Sequence, residues 1–258
     1  MYAVLSDIHA NLDALRSVLA DMREHGARQV LALGDFVGFC GNPAECVDTV
    51  RPLLAAAVGG NHEAALFHRD YFGIPMFDRM IERTLAMLTP EQEEWLRTLP
   101  ATAAGDGWHL VHAPQDRPGH WLRIRSTADA ARVLAATTAH AVFFGHTHAA
   151  TAFCMQGGCV QAIPVEYDAQ GSFTIRMVPG ARYLVNPGSV GYPRDCDWRA
   201  AYALYSPQER CIRLRRLPYD VETACAKVTR TGLPAEFGDC LRRGAEHARM
   251  PQGIAEQA

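Results

Sequence analysis

No hydrophobic run in the 258-residue sequence approaches the roughly 18 residues needed to cross a bilayer. The apolar stretches are short, such as residues 141–144. A basic amino-terminal region followed by a long apolar segment is also lacking: residues 2–5 lead straight to Asp7, which argues against a secretion signal and for a cytoplasmic location. Neither sign of charge predominates, since 25 Lys and Arg face 28 Asp and Glu for a formal net charge of -3. No general basic field exists to gather nucleic acid or anionic lipid, so any phosphate binding must be local. The eight cysteines contain no C-x-x-C pair and no zinc-knuckle or disulfide-framework spacing, so they read as reduced and structural. One exception is open, because Cys154 and Cys159 flank a Gly157-Gly158 turn that could bring two thiols together. Repeats and low-complexity linkers are absent, which leaves one domain over residues 1–216 with a helical extension over 217–258. The tail from Arg242 onward is expected to be frayed or flexible.

What is present is enough apolar residue, 48%, to bury a substantial core. The chain opens as a βαβ unit, with strands over 2–6 and 29–33 around a helix over 12–25. In that helix Leu12, Leu15, Val18, Leu19 and Met22 share one face. A helix over 43–54 and a strand over 55–58 continue the pattern. Two helical pieces in 76–99 divide at Thr89-Pro90, where Thr89 can cap the second. Beyond Trp108 short strands predominate: 108–112, 141–144, 151–155, 159–163, 173–177, 182–185, 202–205 and 211–216. Helices are predicted over 126–138 and 221–229.

The chemistry is concentrated where these strands end. Asp7 and His9 follow the first, Asp35 the second, Asn61 and His62 the third, and His112, His146 and His148 later ones. In a parallel α/β sheet the carboxyl ends of the strands share one crevice, so residues distant in sequence converge there. Asp7 and His9, like His146 and His148, are two apart, which in extended backbone turns both side chains of a pair to one side. His109 and His112 would fall on opposite faces of their strand, and His112 is the one at its end. Carboxylate, imidazole and amide donors without thiolate suit a transition metal such as Mn²⁺, Fe or Zn²⁺. Asp35 could bridge two such ions about 3.5–4 Å apart, with Gly34 giving the backbone room to pass.

Taken in order, Asp7-Ile8-His9, Gly34-Asp35, Gly60-Asn61-His62-Glu63, Val111-His112-Ala113 and Gly145-His146-Thr147-His148 resemble the motifs of the calcineurin-like metallophosphoesterases. Asn186-Pro187-Gly188-Ser189-Val190-Gly191 and Pro193-Arg194-Asp195 resemble the smaller prokaryotic branch of that superfamily. The resemblance implies a four-layer α/β/β/α sandwich and two divalent ions, Mn²⁺ first, with Fe, Zn²⁺, Ni²⁺ or Co²⁺ as alternatives. It implies that Asp7, His9, Asp35 and His148 hold one ion, and Asp35, Asn61, His112 and His146 the other. His62 would contact phosphate and act as general acid, with Glu63 a neighbour that could orient it. The implied activity is cleavage of a phosphomonoester or phosphodiester by metal-bound hydroxide.

Residues 36–39 depart from the protein-phosphatase pattern, in which Asp-Arg-Gly would follow, so a phosphoprotein substrate is less expected than a small phosphate ester or nucleotide. Arg194 is the nominated replacement phosphate contact, and Asn61 also lies where substrate would bind. The alternatives from other classes are an inactive metal-holding regulatory scaffold and a nuclease. Intact His62 argues against the first, and the absence of a basic or aromatic stripe against the second, so no stable nucleic-acid partner is expected. Gly188 and Gly191 read as turn glycines near the site, and Arg213, Arg215 and Arg216 as a solvated face or edge protection.

Overall fold

Successive side chains of a strand project to opposite faces, and this alternation divides the chain into layers. Along Tyr2–Leu5, Ala3 and Leu5 pack against the helix Leu12–Glu24 while Val4 points the other way. Along Ala141–Phe143, Val142 meets Ala130 and Leu134 of the helix Thr127–Ala135, whereas Ala141 and Phe143 turn inward toward Val4, Leu31 and Ala203. Three apolar clusters therefore separate four layers: helices, sheet, sheet, helix. The computed structural model describes residues 1–67, 75–233 and 235–245. The expected α/β/β/α sandwich is the architecture observed.

The first six-stranded sheet runs Ser172–Arg176, Cys211–Leu217, Ala200–Ser206, Tyr2–Leu5, Gln29–Ala32, Leu54–Ala57. Its last three strands are mutually parallel. The second runs Cys159–Ile163, Thr151–Gln156, Arg182–Asn186, Ala141–Phe143, Trp108–Val111, Thr102–Gly105, with its third, fourth and fifth strands parallel. Local chemistry sets the helix starts. Asn11 caps Leu12–Glu24 by accepting from the Ala14 N–H at 3.1 Å, and Thr89 forms a capping box with Gln92 ahead of Pro90–Arg97.

Several elements differ from the sequence-based expectation. The helix begun at Pro43 stops at Val50 and tightens into a 3₁₀ turn over Arg51–Leu53, because Pro52 has no N–H to continue the ladder. The helix Asn61–Phe67 was hidden by a Gly-Gly-Asn start that reads as a turn, and Thr102–Gly105 lacks any apolar alternation. The Gly157-Gly158 hairpin pairs Cys159 with Gln156 and Cys154 with Gln161, so the two thiols are not opposite one another; all eight cysteines are free. The arginine run does not guard an edge, since Cys211–Leu217 lies between two other strands. Arg216 is buried in an ion pair with Asp195, and Arg215 bonds Asp21 at 2.6 Å.

The carboxyl-terminal helices Val221–Arg230 and Ala235–Arg243 insert Ala224, Cys225, Val228, Phe237, Cys240 and Leu241 into the same cluster as the first helix. Arg242 is thus not the start of a frayed tail; it closes a helix and pairs with Glu222 at 2.7 Å. The rest of the expected tail, residues 246–258 with His247, lies outside the described residues, as does His68. Among the described residues no helix is long and apolar enough to cross a membrane.

The Asp21 carboxylate ties the first helix to the first sheet, accepting from Arg215 Nε at 3.0 Å, Arg215 Nη2 and the Tyr202 hydroxyl. Burial pushes its pKa up, but the Arg215 and Tyr202 bonds outweigh this and hold it below the usual carboxylate value. A depressed folded pKa contributes stability above the unfolded value, lost as pH falls through the folded one. Asp21→Asn should therefore cost about 2 kcal/mol at neutral pH. In denaturant melts the gap from the parent should close as pH drops below the carboxylate range; a gap independent of pH would refute this assignment.

Candidate metal centre

The loops leaving the parallel strands of both sheets open at one rim. Asp7, His9, Asp35, Asn61, His112, His146 and His148 meet there, each no more than 2% exposed. The first four come from the first sheet and the three other histidines from the second, so the site straddles the seam. Asp7 and His9 are not in extended backbone as their spacing suggested, nor are His146 and His148. Asp7 (φ 53°), His9 (47°), Asp35 (53°), His146 (69°) and His148 (55°) all adopt the left-handed conformation. Each is an unfavourable choice for a side-chain-bearing residue, and together they turn five side chains inward within a few residues of the strand ends.

Surrounding hydrogen bonds hold these turns. His9 N–H donates to Asp35 O at 2.9 Å and Asp7 N–H to Gly34 O at 3.1 Å, so the first two loops are laced together. Glu63 accepts three backbone N–H groups, from Asp35 and Phe36 at 2.8 Å and Gly60 at 2.9 Å. Its carboxylate fixes the Asp35 loop. Gly34 is needed for close approach: at φ +90°, a Cβ there would lie 2.5 Å from Gly60 N. The segment after Arg182–Asn186 braces the rest. Ser189 Oγ donates to Asp7 O at 2.8 Å, Gly191 N–H also reaches Asp7 O, and Asn186 Nδ2 donates to Gly145 O at 2.9 Å. Ser6 donates to Asp7 Oδ2.

The donors form two adjoining groups. In the first, atoms of Asp7, His9, Asp35 and His148 all lie within 4.8 Å of one another. His9 Nδ1 lies 3.1 Å from Val37 O and His148 Nδ1 bonds Tyr192 O, which assigns the proton to Nδ1 in each ring. The two unprotonated Nε2 atoms then face each other at 3.0 Å, an arrangement that needs a cation or a shared proton between them. In the second group, Asn61 Oδ1 lies 3.0 Å from His112 Nε2 and 2.8 Å from His146 Nδ1, while His112 Nδ1 bonds Leu33 O at 2.6 Å. Between the groups sits Asp35 Oδ2, buried with no hydrogen-bond partner, 3.6 Å from His9 Nε2 and 3.5 Å from His112 Nε2.

Electrostatics agree that this set is built around positive charge. Burial raises Asp7 to about 7, and burial together with the Glu63 charge raises Asp35 well above the carboxylate range. Burial, His62 and Arg194 lower His9; burial and Arg194 lower His148; burial and His112 lower His146. Burial thus disfavours the charged forms of these two carboxyls and three imidazoles, while uncharged imidazole nitrogens and an orphaned carboxylate oxygen are the donors a divalent cation requires. These residues fit a metal.

His62 is buried beside the first group, its ring 4.6 Å from that of His9, and its backbone N–H donates to Asp35 Oδ1 at 2.9 Å. Arg194 borders the same side: its N–H donates to His148 O at 3.1 Å, and its guanidinium carbon lies 5.6 Å from the Phe39 ring and 5.9 Å from Tyr192. All the residues expected from sequence are therefore brought together or set at the border. The supports Ser6, Asn186, Ser189 and Phe39 were not legible as such in the sequence, although Asn186 and Ser189 lie within the motif of residues 186–191.

The family model for the calcineurin-like phosphoesterase superfamily domain matches residues 1–210. An uncharacterized protein of Methanocaldococcus jannaschii is 29% identical over 259 residues, spanning 95% of this chain and 98% of its own. A metallophosphoesterase of Sphaerobacter thermophilus superposes with a TM-score of 0.80 at 30% identity, covering 95% of this chain and 98% of that one. A hypothetical protein of Pyrococcus horikoshii shares the fold at TM-score 0.72 and 19% identity, covering 96% and 100%.

Glu63→Gln would put an amide NH₂ against backbone N–H donors and lose at least one of the three bonds. The expected cost is about 2 kcal/mol in unfolding free energy. Metal retained after dialysis, measured by elemental analysis, should fall with it. Parental stability and metal content in this variant would remove Glu63 from its assigned role.

Proposed function

The chain belongs to the calcineurin-like phosphoesterase superfamily, and on that premise we propose that it is a dinuclear metal-dependent hydrolase of phosphomonoesters or phosphodiesters. The observation that carries the dinuclear reading is Asp35 Oδ2, a buried, unpartnered carboxylate oxygen set between two groups of donors. In this reading Asp7, His9, Asp35 and His148 hold one ion and Asp35, Asn61, His112 and His146 the other. Mn²⁺ is the first candidate. Bound ions would supply an activated water and positive charge for the phosphate oxygens.

The remaining work falls to this chain's own side chains. His62 donates a proton to the departing oxygen. Burial, Arg194 and His112 hold its pKa well below the ordinary value in the free site, and an anionic ester beside the ring opposes that shift. Arg194, steadied against Phe39 and Tyr192, offers its guanidinium to phosphate oxygens. Asn61 keeps its amide oxygen on the second group and fixes the ends of His112 and His146. The depth of the donors favours a small phosphate ester or nucleotide over a phosphoprotein or a polymer. In this reading residues 1–216 form the hydrolase unit and 217–258 an extension, whose helices Val221–Arg230 and Ala235–Arg243 pack against it.

Purified protein with Mn²⁺ should hydrolyse a chromogenic phosphodiester or its monoester analogue, and Asp35→Asn should abolish turnover. His62→Ala should lower kcat by about 10²- to 10⁴-fold, with the smallest loss for the best leaving group. Equal losses for good and poor leaving groups would deny His62 the acid role. Absence of turnover with two ions bound would turn the reading toward a binding scaffold.

A further inference from the structure

Behind the loop that carries Phe39 lies a recess of about 440 Å³ that the hydrolase reading does not use. Three cations line it: Arg83 from the helix Pro75–Met87, and Lys227 and Arg230 from the helix Val221–Arg230. No carboxylate is among the described residues that line it. Lys227 is paired with Asp13 at 2.7 Å, but among the described residues neither Arg83 nor Arg230 forms an ion pair with a carboxylate. Arg83 is seated, not splayed into solvent. Its guanidinium rests on Gly232, at φ +73°, where a Cβ would lie 2.6 Å from Nη1. Like charges gathered in one concavity repel unless an anion joins them. The volume fits a small ligand, and Met87 adds an apolar wall for an attached group.

We propose that this recess is a second binding site, separate from the metal centre, for a small soluble molecule carrying a phosphoryl or pyrophosphoryl group. Planar guanidinium forks match phosphate oxygens in pairs, and two of them here have no other anionic partner among the described residues. A concave site formed by two helices and Gly41 suits a compact ligand better than an extended polymer. Its floor leads to the catalytic rim. Gly41 lies so close to the Lys227 carbonyl that a Cβ would sit 2.9 Å from it, while the flanking Cys40 and Asn42 N–H groups donate to His9 O and Ala10 O. A bound anion would therefore tie two helices together across the loop that supports His9.

Lys227 is the only lysine in the chain, so its amine reports directly on occupancy. The test is limited acylation of metal-loaded full-length protein, followed by mass spectrometry, with and without inorganic pyrophosphate and with chloride at matched ionic strength. Pyrophosphate should protect Lys227 and chloride should not. The Arg83→Ala/Arg230→Ala double variant should lose this protection and bind pyrophosphate at the recess about tenfold or more weakly. Its melting temperature and its turnover without pyrophosphate should stay at parental values. Arg230→Ala alone, at an exposed helix end, should show partial loss and provides the test if the double variant does not fold. Lys227 that reacts equally with and without pyrophosphate would overturn the site, as when the anion binds only at the metal centre. Protection by chloride, or protection undiminished in the foldable variants, would overturn it too.

Discussion

Five residues in left-handed backbone, Asp7, His9, Asp35, His146 and His148, are the constraint around which the rim of this protein is built. Donors can reach a common point at the seam of two sheets only if the chain reverses immediately beyond each strand, and a side-chain-bearing residue with positive φ does that at roughly 1 to 3 kcal/mol each. The neighbouring structure has to over-determine those turns. Glu63 gathers three N–H groups, Ser189 and Gly191 converge on the Asp7 carbonyl, and Asn186 fixes Gly145. These supports arrive from two parts of the sequence, Glu63 from one and residues 186–191 from another, so the rim forms only when both sheets and their connections are in place.

A second layer of support is aromatic. Phe39, itself at φ 50°, stacks on Tyr192 with ring centres 4.5 Å apart and lies 4.7 Å from His62, 4.6 Å from His9 and 5.8 Å from Phe237. Such contacts exclude water from one side of the histidines and give the Arg194 guanidinium an electron-rich surface. Through Phe237 the carboxyl-terminal helices become part of the wall of the site and not merely an appendage to the sandwich.

Much of this was readable in the chain beforehand, for physical reasons that differ by region. Strands such as Tyr2–Leu5 and helices such as Leu12–Glu24 carry clean periodicity, and their polar punctuation falls where a parallel sheet opens, so the converging residues could be named. The backbone shape at those residues could not, since a two-residue spacing is compatible with both extended chain and a left-handed turn. The bracing role of Glu63 was hidden for a related reason: adjacency to His62 says nothing about the three backbone N–H groups that its buried carboxylate accepts. Arg215 and Arg216 looked solvent-facing because their partners, Asp21 and Asp195, are remote in sequence. The recess of Arg83, Lys227 and Arg230 was equally invisible, as it exists only where the last helices meet the middle of the chain.

The placement of the candidate metal donors across the seam has a thermodynamic consequence. Any cation that binds only when Asp7 and Asp35 stand opposite His112 and His146 acts as a rivet between the sheets, adding its binding energy to the assembled form and none to a separated one. The resistance of the chain to unfolding and proteolysis would then vary with the concentration of free metal around it. Supply of such an ion would then govern how much of this protein persists.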